Sequence, residues 1–137
     1  MSQLSARNRH SWKHLQAAMT KKLYGVVFAS VADEEYDGLA HGWVRDANTA
    51  YWFSLSRGVE SDCIEVMVSD QLSCCDEVGV TLSKTGILVR LNDAGTQSLD
   101  GHREYAIEFH PESVDIAEIR ETLEVIFRGK SGLLLHV

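Results

Sequence analysis

Through most of the stretch from Leu23 to Phe109 the apolar residues recur at every second position. That is the period of a strand with one face on a core and the other toward water. Leu23–Val31 (LYGVVFASV) is apolar or small on both faces and predicts a central strand. The polar run Asp33-Glu34-Glu35-Tyr36-Asp37-Gly38 predicts a turn, Leu39–Arg45 a second strand, and Asp46-Ala47-Asn48-Thr49 a tight connection. Ala50–Ser56 follows as a third strand, with Tyr51, Phe53 and Leu55 on one face and Trp52, Ser54 and Ser56 on the other. Over Asp62–Val68, Ile64, Val66 and Val68 alternate with Cys63, Glu65 and Met67. Val78–Leu82 and Ile87–Leu91 flank Ser83-Lys84-Thr85-Gly86, which predicts a hairpin, and Asn92–Gly101 reads as a loop. In Arg103–Phe109, Tyr105, Ile107 and Phe109 oppose Glu104, Ala106, Glu108 and, just beyond, His110.

The period then changes. Ile116, Ile119, Leu123, Ile126 and Phe127 form a helical stripe, preceded by Pro111 and by the candidate caps Ser113 and Asp115. Arg128 and Lys130 stand at its end with Gly129 as the terminating residue. Trp12, Leu15 and Met19 suggest a short amphipathic helix over 11–19, or equally an extended arm. The expected fold is therefore α+β: a mostly antiparallel sheet of about seven strands with one C-terminal helix packed on it. Residues 1–22 form a basic N-terminal arm or short helix ahead of a single domain spanning 23–137.

Composition narrows this picture. A chain of 137 residues with one Pro and ten Gly suits one globular domain and excludes a linker-dominated or collagen-like one. Its net charge of −7 is unevenly spread. Residues 1–32 carry Arg7, Arg9, Lys13, Lys21 and Lys22 without an acid, so the other residues hold all 20 acids and a charge of −12. Such a body repels phosphate, which argues against nucleic-acid binding through it and favours a basic protein partner. No apolar run reaches the ~18 residues of a membrane span, and no signal-peptide pattern opens the chain, so a cytoplasmic location is expected. On that basis Cys63, Cys74 and Cys75 are expected as free thiols. His10 and His14 have helical spacing but no cysteine or carboxylate beside them, so no metal and no cofactor are expected.

Candidate chemistry is sparse. Gly129-Lys130-Ser131 follows a helix instead of opening one, and Glu124 stands where a phosphate loop needs glycine. Glu104, Glu108 and His110 share a strand face and constitute the best enzyme-like set, although a solvated face gives the same pattern. Cys74-Cys75 lies among Asp70, Asp76 and Glu77, which disfavours a thiolate nucleophile. Trp12, Trp43 and Trp52 read either as partly buried core or as a binding platform. The densest acidic cluster, Asp33, Glu34, Glu35 and Asp37, is a candidate partner-binding site.

The order of pieces from Cys63 onward is recognisable. Ile64-Glu65-Val66 leads to Asp70-Gln71 and Glu77-Val78, then to Val80-Thr81-Leu82-Ser83 and Gly86-Ile87-Leu88-Val89-Arg90-Leu91. Tyr105-Ala106-Ile107-Glu108-Phe109 and the helix Ile116–Phe127 complete it, with Phe53-Ser54-Leu55-Ser56-Arg57 upstream. This pattern resembles the immunity protein 10 family of bacterial polymorphic toxin systems. The resemblance implies a non-enzymatic cytoplasmic protein that binds a cognate toxin domain and blocks it, and the acidic body suits a basic nuclease as that toxin. It adds Asp70 and Gln71 to the candidate partner-binding residues and gives residues 1–22 no counterpart. Two other readings remain open at this point: a small enzyme using Glu104, Glu108 and His110, and a generic adaptor contacting its partner through the basic arm.

Overall fold

The computed structural model describes residues 20–112 and 115–137. The helix expected over 11–19 and the cap expected at Ser113 lie outside the described residues. Within them the chain runs β1 (Thr20–Gly25), β2 (Val27–Asp33), β3 (Leu39–Arg45), β4 (Trp52–Arg57), β5 (Ile64–Val68) and β6 (Gln71–Cys75). It continues through β7 (Val78–Ser83), β8 (Gly86–Leu91), helix α1 (Asp93–Ser98), β9 (Glu104–Phe109), helix α2 (Ile116–Ile126) and β10 (Leu133–His136). The strands form two five-stranded sheets. Sheet A has the order β1-β9-β8-β7-β10 and sheet B the order β2-β3-β4-β5-β6. All pairings are antiparallel except β1 with β9 and β10 with β7. No helix among the described residues is long and apolar enough to cross a membrane.

The single strand expected over Leu23–Val31 is two strands in two sheets. At Val26 the chain leaves sheet A and enters sheet B, and the corner is tight. A Cβ on Gly25 would stand 2.4 Å from the Arg45 carbonyl oxygen, so only glycine fits there. Asp46 secures the same corner: its carboxylate accepts the Tyr24 N–H at 2.9 Å and the Thr49 hydroxyl at 2.8 Å.

Both sheets turn their alternating apolar face inward. Val44, Phe53, Leu55, Ile64, Val66 and Val68 of sheet B meet Val80, Leu82, Val89, Tyr105 and Ile107 of sheet A in one buried core. The rings of Phe53 and Tyr105 pack across the interface with centroids 4.7 Å apart. Each such side chain contributes about 1.5–3 kcal/mol when fully buried. Helix α2 lies against β2, β3 and β4 and buries Ile119, Leu123 and Ile126, the stripe its sequence predicts. Asp115 caps it by accepting the Glu118 N–H at 3.0 Å, and Gly129 follows its end at φ +76.

The mixed α+β class stands, with corrections in detail. There are ten strands among the described residues instead of about seven, because β1 and β2 are separate and β6 and β10 add to the count. Two sheets replace one, since alternation fixes which face is buried but not which strand is the neighbour. The expected loop 92–101 contains helix α1, capped by Asn92, whose side chain accepts the Gly95 N–H at 2.9 Å. Lys21 and Lys22, assigned to the arm, belong to β1.

Candidate functional site

With one face of sheet B packed on the core, the alternation of β3, β4 and β5 sends a second set of side chains to the other face. From β3 these are His41, Trp43 and Arg45; from β4, Trp52, Ser54 and Ser56; from β5, Glu65 and Met67. The register aligns them in rows. Phe28, Trp43, Ser54, Met67 and Leu72 are cross-strand partners in turn, and so are Ser30, His41, Ser56, Glu65 and Cys74. The surface so formed is hollow, with a volume of about 690 Å³.

The hollow is deep at its centre. Ser54 and Ser56 point away from the core yet are only 4% and 8% exposed. They sit in register with Trp43 and His41 on one side and Met67 and Glu65 on the other. The Ser56 hydroxyl donates to Glu65 Oε2 at 3.5 Å. Asp33 faces the same hollow from the β2–β3 turn, its Oδ2 3.6 Å from His41 Nδ1, which forms an ion pair when the imidazole is protonated. At the margin Phe28 stacks on Trp43, with centroids 4.6 Å apart and planes inclined by 21°. Phe28 and Leu72 are 50% and 57% exposed. Aromatic, Met and Arg side chains inside a charged rim are the composition of a protein-interface centre.

The cysteines depart from expectation. Cys63 and Cys74 are joined in a disulfide across the β5–β6 hairpin, with Cα atoms 5.6 Å apart. The pairing of Glu65 with Cys74 brings Cys63 within reach on the same face, which places the bridge beside Glu65. Only Cys75 is a free thiol, and it is buried on the opposite face.

The predicted partner-binding residues fall at two ends of this surface. Asp33, Glu34, Glu35 and Asp37 occupy the β2–β3 turn, where Asp33 accepts the Glu35 N–H at 3.1 Å and Asp37 takes φ 60. Asp33 and Glu35 line the hollow, whereas Glu34 and Asp37 are exposed outside it. Asp70 and Gln71 are exposed at the β5–β6 turn, beyond Trp52, whose carbonyl accepts the Ser69 N–H at 2.8 Å. Of these six, only Asp33 and Glu35 line the hollow; at its centre the sequence offers Trp43 and Trp52, as partly buried core or as a binding platform, but not His41, Ser56 or Glu65. The signal was present in the Trp52, Ser54, Ser56 face of β4; only the register adds Trp43, His41 and Glu65 to it.

Glu104, Glu108 and His110 lie instead on the outer face of sheet A. The strand spaces Glu104 and Glu108 by about 13 Å. Glu104 pairs with Arg90, while the His110 ring packs on Tyr24 and its Nδ1 accepts the Glu112 N–H. Glu108 and His110 line one shallow pocket at the end of β9, and Glu104 stands outside it. No group of three or more His, Cys, Asp or Glu positioned for a metal ion occurs among the described residues. No protein-family model, curated protein or solved structure matches the chain.

Proposed function

We propose that this chain is an immunity-type protein that binds a cognate toxin domain through the outer face of sheet B and blocks it by occupying its surface. The observation that carries this reading is the tryptophan-floored hollow with charged groups at its margin, which no described residue covers. The resemblance set out above supports the inhibitory role. The −12 charge of residues 33–137 supports a basic partner, because opposite charge speeds encounter. The same charge disfavours direct contact with nucleic acid.

The test is co-expression with the product of the adjacent gene, which this reading expects to be the toxin. Growth protection by the native chain, and its loss in a folded Trp43→Ala/Trp52→Ala variant, is the expected result. Protection should survive replacement of Glu104, Glu108 and His110 by Ala together; its loss in a folded triple variant would favour the enzyme. Reversing the charges of Asp33, Glu34, Glu35 and Asp37 should slow association and flatten its salt dependence. An unchanged rate removes that turn from the contact.

The cytoplasmic setting implied by the resemblance stands against the Cys63–Cys74 bridge, since disulfides persist in oxidising compartments. Alkylation of thiols at harvest from the native host, followed by mass spectrometry, decides between them. A modified Cys63 supports the cytoplasm and an unmodified one an oxidising compartment.

A further inference from the structure

We infer that the hollow on sheet B receives an arginine side chain of the partner, with the apolar surface around it taking the residues that flank that arginine; this rests on the partner-binding role proposed above. The first observation is Ser54. It is 4% exposed and lines the hollow, yet its hydroxyl makes no hydrogen bond to any described residue. That hydroxyl opens onto the hollow with its donor and acceptor positions unused, so the position suits an incoming polar group. The second is the set of acceptors around it: Ser56 with its bonded Glu65, and the carboxylates of Asp33 and Glu35 from the β2–β3 turn, all lining the same hollow. The third is the aromatic floor. Trp43 is the cross-strand partner of Ser54, and Trp52 lies two residues along the same strand.

Guanidinium fits this combination as other groups do not. Its five N–H donors lie in one plane and match carboxylate and hydroxyl acceptors, while its face stacks on an indole. An ammonium offers a point charge without a stacking face, and an anion would meet three carboxylates. The cationic groups lining the hollow are His41, already 3.6 Å from Asp33, and Arg45, on the Trp52 side of Trp43. Arg45 orients the occupant, because it repels a second cation at its own end. Apolar residues beside the partner's arginine then reach the exposed Leu72 and Phe28.

The experiment titrates the full-length protein with N-acetyl-argininamide and follows the indole N–H signals of Trp43 and Trp52 by NMR. N-acetyl-citrullinamide, equal in shape and uncharged, is the control. The expected result is a saturable shift of both indoles by the arginine probe, at least tenfold weaker with citrulline. An Asp33→Asn/Glu65→Gln variant should weaken it tenfold or more, while Asn at position 33 still caps the Glu35 N–H. Equal response to the two probes, or full response in the variant, overturns the arginine site. A response that emerges only after Arg7, Arg9 and Lys13 are changed to Gln assigns the hollow to the chain's own basic segment and overturns the partner assignment. The two readings fail separately. Loss of toxin protection in Trp43→Ala/Trp52→Ala without any arginine response overturns this site and leaves the proposed role. A clear arginine response in a chain that gives no protection supports the site and overturns the role.

Discussion

Arg57 ends β4 and holds three backbone carbonyls. Its guanidinium donates to Ser61 at 2.8 Å, to Ile126 at 3.0 Å and to Arg128. Ile126 is the last residue of α2 and Arg128 lies just past it, where carbonyls lack partners within the helix. Lysine at this position keeps the charge but cannot span three acceptors. Arg57→Lys should therefore cost about 1–3 kcal/mol, read as a lower urea midpoint at unchanged slope. Asp46 makes the stability depend on pH. Burial raises its pKa, but hydrogen bonds from the Tyr24 and Asn48 N–H groups and the Thr49 hydroxyl, with help from Lys21, outweigh burial and hold it below the usual carboxylate value. A lowered folded value means that this carboxylate stabilises the fold above its unfolded pKa, and that the contribution fades as pH falls through the folded one. Asp46→Asn should thus be less stable than the native chain at pH 7, with the gap closing in strongly acidic solution; a gap that widens on acidification contradicts this assignment. Tyr51 and Tyr105 behave differently, since both hydroxyls donate to Asp100. Burial first, and that carboxylate second, push both phenols far above their ordinary value.

Among the elements, the strands tolerate glycine replacement unequally. A Cβ on Gly42 in β3 would meet only the Phe28 carbonyl oxygen, at 3.8 Å, beside a small apolar void of about 30 Å³ between the sheets and α2. Gly42→Ala should stabilise the fold by about 0.4–1 kcal/mol through the unfolded chain. Gly132, just before β10, is the reverse case: its Cβ would lie 2.0 Å from the Val78 carbonyl oxygen, so Ala there must push β10 from β7. Urea unfolding should move the two variants in opposite directions, and a shared direction would contradict the packing. Elements whose sequence carries its own signal were legible. The faces of β4 and the stripe and Asp115 cap of α2 are examples. The break at Val26 was not, because Leu23–Val31 is apolar on both sides and the corner depends on the distant Arg45 carbonyl. Helix α1 was hidden by Gly95, which fits because Cys75 Sγ and the Leu91 Cβ would each lie 3.4 Å from any Cβ there. The disulfide and the gathering of Trp43, Trp52, His41 and Glu65 on one face were hidden for a common reason. Both arise from register, and alternation does not state a register.

For the whole molecule, charge and topology have separate consequences. Part of the basic N-terminal segment is structural, since Lys21 lies 4.6 Å over the Tyr51 ring. That leaves Arg7, Arg9, Lys13 and Lys22 as the remaining cations of the +5 segment. Three of the 20 acids, Asp33, Glu35 and Glu65, line the hollow together with Arg45. Topology divides the sheets more sharply. Sheet B is a meander in which every strand pairs with the next one in sequence, whereas sheet A joins β1 to β9 and β10 to β7. Local pairings close small loops and form quickly; pairings between distant segments wait on the entropy of large ones. Pulse-labelled hydrogen exchange should accordingly find the amides of β3, β4 and β5 protected before those of β1 and β10, and the reverse order would refute it. During synthesis the hollow of sheet B is then complete in its strands while β9, the partner β1 requires, has still to leave the ribosome. The nascent chain presents its candidate binding surface before the rest of the sandwich exists to support it.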